Sequence, residues 1–386
     1  MRIERVEPIF VDKFLFVEIT TDNGLVGLGE AGAWGFHEAT AGAVGTFAEY
    51  LIGEDPLRIE HHWQYMYRWS HFRGSVIMSA LSAIDIALWD IAGKHFGAPV
   101  HALMGGKIRS KARAYACISG ATRKDLLEGL TCAKERGFTA VGHLTPFLDV
   151  PREVPYFETF TRKISDAIET VQQCRAIAGR DVDLCIEVHR RLAPYEAIQF
   201  GRAIEPSQPL FLEDPVTPDN FDEMSYVAEK IAIPVATGER MTSLWEFQML
   251  ATRKAAQIFR PDVCMTGGIS GARKIAALAE AFHIGIAPHN PLSMVSTAAC
   301  LQIAATSSTF VIQELPIHCW RDSSTANPAV GMVREGAPLD DGAGFLTIGD
   351  APGLGIALLP DAAARFPRRQ RYLKTRLHID GSVVDQ

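Results

Sequence analysis

Six ionisable residues stand at nearly equal intervals in the second half of the chain: Glu187, Glu213, Glu239, Asp262, His289 and Glu314, separated by 26, 26, 23, 27 and 25 residues. Each closes or directly follows a short apolar run, in the segments LCIEVH, PLFLEDP, PVATGER, IFRPD, IAPHN and FVIQE. One strand-plus-helix unit of a closed eight-fold βα barrel takes about 30 residues, so this spacing sets the six at one height on consecutive parallel strands. They would ring one mouth of such a barrel, at the C-terminal ends of its strands, where barrels of this kind carry their chemistry. A lone Glu after a strand is ordinarily a solvated loop residue or a helix cap. Six at matched spacing are not accounted for that way.

The rest of the pattern agrees. β-rich runs at residues 113–118, 140–144, 184–188, 210–212, 235–238, 257–260, 285–288 and 310–313 alternate with amphipathic helical stretches, as in a parallel sheet with helical crossovers. Ahead of them, residues 1–31 alternate as antiparallel strands around an Asp22-Asn23-Gly24 turn. Apolar residues then recur at helical spacing in His37–Leu51, Ile59–Trp69 and Ser75–Phe96, the last stopped by Gly97-Ala98-Pro99. The expected fold class is α/β: a (β/α)8 (TIM-type) barrel over residues 111–316, preceded by an α+β domain over 1–110. Residues 317–386, rich in Gly and Pro, are expected to pack back on the first domain as irregular structure. Residues 146–161 are long for a βα loop and form either a substrate-covering excursion carrying Tyr156 or a structural insertion.

With 47% hydrophobic and 22% charged residues among 386, the chain can build a sizeable core and should fold throughout. A net charge of −7 without a Lys/Arg-rich run leaves no electrostatic footprint for nucleic acid or an anionic membrane, so the expected partners are small molecules. The N-terminus alternates apolar and charged residues where a signal peptide would have an apolar block, and no stretch is expected to span a membrane, which points to the cytoplasm. Seven scattered cysteines without a CxxC pair suggest reduced, buried thiols.

Three carboxylates on adjacent strands, Glu187, Glu213 and Glu239, would repel one another unless a cation neutralised them. All-oxygen ligation favours Mg2+, with Mn2+ as a second choice, and protonated carboxyl groups sharing hydrogen bonds are the metal-free alternative. Two histidines flank this trio. His189 is two residues past Glu187, so strand alternation turns it to the same side. His289 ends strand seven beside Asp262, a carboxylate that would fix its tautomer and stabilise its protonated form, as a general base needs.

Residues 81–106, LSAIDIALWDIAGKHFGAPVHALMGG, resemble the hallmark helix and loop of the enolase superfamily's mandelate racemase-type members. In order along the chain, EVH, FLEDP, ATGER, RPDVCMTGGIS and APHNPLS are similar to the barrel motifs of that superfamily's acid-sugar dehydratases. The likeness covers essentially the whole chain. It implies an Mg2+-dependent enzyme that removes the α-proton of a sugar acid, expels water and yields a 2-keto-3-deoxy product, in the superfamily's pattern of a Lys or His base beside Mg2+. It assigns Glu187, Glu213 and Glu239 as metal ligands, Asp262–His289 as the base, His189 as the acid and Glu314 as a hydrogen-bond partner of the substrate carboxylate. The first domain becomes a capping domain whose loop, residues 29–37, closes over the substrate, making Trp34 and His37 candidate specificity contacts. A homo-oligomer is also implied. The competing readings are an acid-sugar racemase or epimerase and a non-catalytic sugar-acid binder.

The chain departs from the family in places. Many members place a Lys-x-Lys or Lys-x-Arg pair at the end of strand two, where this chain has Val141-Gly142-His143-Leu144-Thr145, which argues against a strand-two lysine base. His143 is then either a substrate-binding site residue or a structural one. Glu187 stands where many relatives have Asp, and Arg190-Arg191 replace a Gly often found after this histidine.

Overall fold

The computed structural model describes residues 1–148, 151–322, 324–338, 340–370 and 374–384. Positions 149 and 150 of the long loop, and parts of the C-terminal segment, lie outside the described residues. In the first domain, β1 (Ile3–Val11), β2 (Phe14–Thr21) and β3 (Val26–Glu30) form an antiparallel meander, followed by α1 (His37–Leu51), α2 (Ile59–Trp69), α3 (Ser75–Phe96) and the short α4 (Val100–Leu103). α3 ends where Gly97 takes a left-handed conformation, which glycine adopts without strain. α3 is long and apolar enough to cross a membrane by length and composition, with a mean hydropathy of 1.6, but 83% of that stretch is buried inside the protein. A helix that is apolar all round belongs in a core, and α3 lies between the first sheet and the barrel.

The barrel strands are β4 (Lys111–Cys117), β5 (Ala140–Leu144), β6 (Asp183–Glu187), β7 (Phe211–Glu213), β8 (Val235–Thr237), β9 (Ile258–Phe259), β10 (Gly285–Ile286) and β11 (Gln313–Leu315). From β4 to β10 each pairs in parallel with the next, and β11 returns to β4. Between β10 and β11 the ring closes through a bridge from Ile286 to Phe310, with Val311 N donating to Ile286 O at 2.8 Å. The eighth run is therefore split: its start pairs back to β10, and its regular part, expected at 310–313, falls at 313–315 against β4. Closing a barrel staggers its strands, and the seam is where that stagger is absorbed. The crossovers are α5 (Arg123–Glu135), α6 (Phe160–Ala178), α7 (Pro194–Ile204), α8 (Phe221–Lys230), α9 (Leu244–Arg253), α10 (Gly268–Ala281) and α11 (Met294–Thr306).

Inside the ring, Tyr115, Cys117, Cys185, Phe211, Ile258, Ala287 and Ile312 belong to one buried cluster. Two residues further along five of these strands come Glu187, Glu213, Arg260, His289 and Glu314. Side chains alternate along a strand, so these five face inward in the next layer toward the mouth. The apolar plug is thus the floor on which the polar layer stands. The C-terminal segment touches both domains: Phe345–Thr347 pairs antiparallel with β4, while Asp12 N donates to Phe366 O at 2.9 Å.

Candidate active site

Register brings the first acids together, because Glu187 of β6 stands opposite Glu213 of β7 in the ladder. Glu239 arrives from β8 after Gly238, whose positive φ of 139° swings the chain inward. The three side chains offer oxygens that all lie within 4.8 Å of one another. Like charges opposite one another on paired strands repel, and here the cost is compounded by burial.

His189 reaches the same side by a different route from strand alternation. β6 stops at Glu187, and His189 follows in a left-handed conformation (φ 55°) with its N–H donating to Glu187 Oε1 at 2.7 Å. At the end of β5, His143 is also left-handed (φ 49°), and its ring meets His189 edge-on with centroids 4.8 Å apart. The structure therefore puts His143 at the mouth, beside Glu187 and His189. Four strands round the ring, His289 Nδ1 lies 3.0 Å from Asp262 Oδ2, and Asp262 Oδ1 accepts from Cys264 N at 2.8 Å. His289 Nε2 is 3.3 Å from Glu239 Oε2, so the other face of the ring looks at the acidic trio.

Several site residues escaped the sequence reading. Arg260 is fully buried and donates to Glu213 Oε1 and Glu314 Oε2, both at 2.6 Å, and to the Tyr115 hydroxyl at 2.8 Å. Arg190 bonds Asp214 at 2.9 Å and also Glu239. The signal for Arg260 was its place two residues after the inward-facing Ile258; the one for Arg190 was only its departure from the family's glycine. Glu314 further accepts from Asn290 N at 2.8 Å.

Charge follows from these contacts. Burial, with Glu213 and Glu239 adding to it, pushes Glu187 well above the usual carboxylate range. Burial also lifts Glu213 to about 7, despite the opposing pull of Arg260. For Glu239 burial is outweighed by His289, Arg190 and His189, which hold it below the usual range. Against a burial penalty, Glu239, Glu314 and Asp262 raise His289 to about 10, whereas burial and then His143 lower His189 to about 3. With the acids unneutralised, His289 thus keeps a proton and His189 lacks one, the reverse of a resting base and acid. A cation among the carboxylates would cancel much of the field that holds the proton on His289. Glu314 is brought to about 2, Arg260 and His289 overcoming its burial, so it is ionised and could bond a substrate carboxylate only with a proton between them.

The remaining candidates are Trp34, His37 and Tyr156. Trp34 is 37% exposed, and His37 starts α1 in a crevice with Phe10, Asp12 and Arg368. Tyr156 is bridged to His378, and its ring packs there at 5.0 Å.

A parallel barrel with clustered carboxylates that could hold a metal ion, and an Asp-bonded histidine beside them, defines the site by its geometry. This chain belongs to the enolase superfamily: the family described as "Enolase C-terminal domain-like" matches residues 129–362, and the "Mandelate racemase / muconate lactonizing enzyme, N-terminal domain" matches 8–105. It is 38% identical over 380 residues to a D-galactonate dehydratase of Cronobacter sakazakii, covering 97% of this chain and 96% of that one. A D-galactonate dehydratase of Variovorax paradoxus is 35% identical over 392 residues, the whole of both chains. Among solved structures, an enolase from Agrobacterium radiobacter bound to sodium and L-malate superimposes with a TM-score of 0.90 at 28% identity over all of both chains. A mandelate racemase/muconate lactonizing enzyme from Jannaschia sp. CCS1 gives 0.85 at 30% identity over 98% of this chain and 100% of that one. With these relatives the chain is a carbon–oxygen lyase of the dehydratase class.

Proposed function

We propose that this enzyme dehydrates a sugar acid of the aldonate class, galactonate-like, to a 2-keto-3-deoxy sugar acid. The observation that carries the reading is the trio Glu187, Glu213 and Glu239, with oxygens within 4.8 Å, facing the Asp262–His289 pair. The donor set fits a hard divalent ion: it is all oxygen, contributed by three carboxyl groups on adjacent strands. Mg2+ is the expected ion and Mn2+ a substitute. Held by the three glutamates, it would supply positive charge to the substrate carboxylate while the α-carbon loses its proton.

Asp262 occupies His289 Nδ1, which leaves Nε2 to take the C2 proton. From the opposite side of the mouth, His189, neutral in the empty site, must first take up a proton as the anionic substrate binds and then gives it to the C3 hydroxyl, which leaves as water. The resulting enol tautomerises to the 2-keto acid. Incubating hexonates, pentonates and aldarates with EDTA-stripped and Mg2+-restored enzyme tests this. Formation of an α-keto acid that stops with EDTA and returns with Mg2+ is expected. Solvent deuterium at C2 without water loss would instead mean a racemase or epimerase, and binding without turnover would mean a sugar-acid binder.

A further inference from the structure

Between the two domains lies a buried carboxylate that the reaction does not use. Glu30 closes β3, is shut off from solvent, and is aimed at the first turn of α11. Its oxygens accept from Ser293 N at 3.2 Å, Ser293 Oγ at 2.6 Å and Ser296 N at 2.9 Å. The first turn of a helix carries unpaired N–H groups that need acceptors, and here the acceptor comes from the other domain, a carboxyl that burial raises to about 8 against the pull of its bonds to Ser293 and Ser296. Helix α11 opens directly after the loop that carries His289, and Ser293 is its N-cap.

The next residues dock on the neighbouring loop. Gly32 N donates to Cys264 O at 3.1 Å, and a Cβ on Gly32 would lie only 2.5 Å from Met265 Cγ. Cys264 is the residue whose N–H holds Asp262 Oδ1, and its Sγ reaches Ser296 Oγ at 3.4 Å. The root of the 29–37 loop is therefore wedged between the loop bearing Asp262 and the loop bearing His289.

We propose that Glu30 is a positioning residue for the base, locking the root of the capping loop to the first turn of α11 and so fixing His289 against Asp262. This rests on the reading of His289 as the base. Glu30 touches no reacting atom; it acts through Ser293 and Ser296. Proton transfer needs near-contact geometry, so a small shift of the 289–293 loop costs rate more than binding.

Glu30→Gln in the full-length enzyme replaces an acceptor oxygen by an amide NH2 at nearly constant volume, and Ser293→Ala removes one of the three bonds, together with the cap bond from Val295 N, without touching Glu30. Three quantities are read: kcat against KM, Mg2+ affinity by calorimetry, and the proton resonance of His289 Nδ1–H in its bond to Asp262, identified by its loss in Asp262→Asn. Glu30→Gln should lower kcat about 10- to 100-fold with KM and Mg2+ affinity little changed, and should shift or erase that resonance. Ser293→Ala should move the same quantities less. A folded Glu30→Gln protein that melts earlier yet keeps wild-type kcat and an unshifted resonance overturns the proposal, because Glu30 would then only stabilise the interface. Should Glu30→Gln not fold, an unchanged resonance and kcat in Ser293→Ala overturn it equally. If no sugar acid is turned over by the wild type, the functional reading fails, while the resonance alone still decides for or against Glu30.

Discussion

His289 and His189 face each other across the mouth, and the proposed order of proton transfers separates their variants. Replacing His289 by Asn should abolish both dehydration and C2–deuterium exchange, because His289 is the imidazole that Asp262 holds with its Nε2 toward the trio. Replacing His189 by Asn should stop dehydration while slow exchange persists, since His289 can still remove the proton. Wild-type exchange in the His289 variant, read by NMR, would move the base elsewhere, with His143 the nearest imidazole to His189. Arg260 poses a different question, one of stability. It is the common partner of Glu213 and Glu314, all three buried. Breaking a buried pair leaves an uncompensated charge, so Arg260→Gln should lower unfolding free energy by about 3–5 kcal/mol in metal-free protein, by urea titration. A loss under about 1 kcal/mol would show that the acids simply take up protons. At this scale the acids were legible because spacing alone reveals strand ends. Arg260 and Arg190 were not, because spacing says nothing about which cation pairs with which acid.

β3 and α3 show what backbone contact can demand of an element. Gly29 and Gly27 face the helix, and a Cβ on them would lie 1.9 Å from Ala83 O and 2.1 Å from Ala87 O. Atoms cannot approach so closely, so Gly29→Ala must push the strand off the helix and should cost about 1–3 kcal/mol or more of stability. Equal urea midpoints for variant and wild type would show that the sheet can yield at no cost. The helices of the first domain were legible to the residue at His37–Leu51, Ile59–Trp69 and Ser75–Phe96, since a long 3.6-residue period leaves little choice. The eighth barrel strand was displaced because its limits are set by closure of the ring, a non-local condition. His189 likewise came to the right side for the wrong reason: a left-handed turn after β6, which no alternation pattern announces.

Across the whole molecule, the two domains meet through polar groups as well as through the apolar face of α3. Asp85 of α3 is buried and accepts from Ser270 N, in the first turn of α10, at 2.9 Å; Ser82 Oγ accepts from Gly267 N at 2.9 Å and Trp89 Nε1 donates to Ser270 Oγ at 2.9 Å. The capping domain thus caps α10 as well as α11, an arrangement hidden in the sequence because its partners are nearly two hundred residues apart. Burial raises Asp85 to about 7, its bonds to Ser270 offsetting only part of the cost. In an unfolded chain the same carboxyl titrates near 3.9. Below about pH 4 both states hold the proton and its contribution is intact. From about pH 4 to 7 the unfolded chain releases the proton while the folded one keeps it, so stability falls as pH rises, and above about 7 the slope vanishes. Asp85→Asn cannot titrate and should escape this loss. Urea unfolding of both proteins between pH 4 and 8 should therefore show the variant gaining on the wild type by a few kcal/mol, at roughly 1.4 kcal/mol for each pH step across that window, with the gain complete near pH 7. Other buried acids, Glu30 among them, titrate alike in both proteins, so the difference isolates Asp85. A gap independent of pH would mean that the N–H groups of α10 hold the carboxylate ionised in the folded state, with the helix terminus outweighing burial.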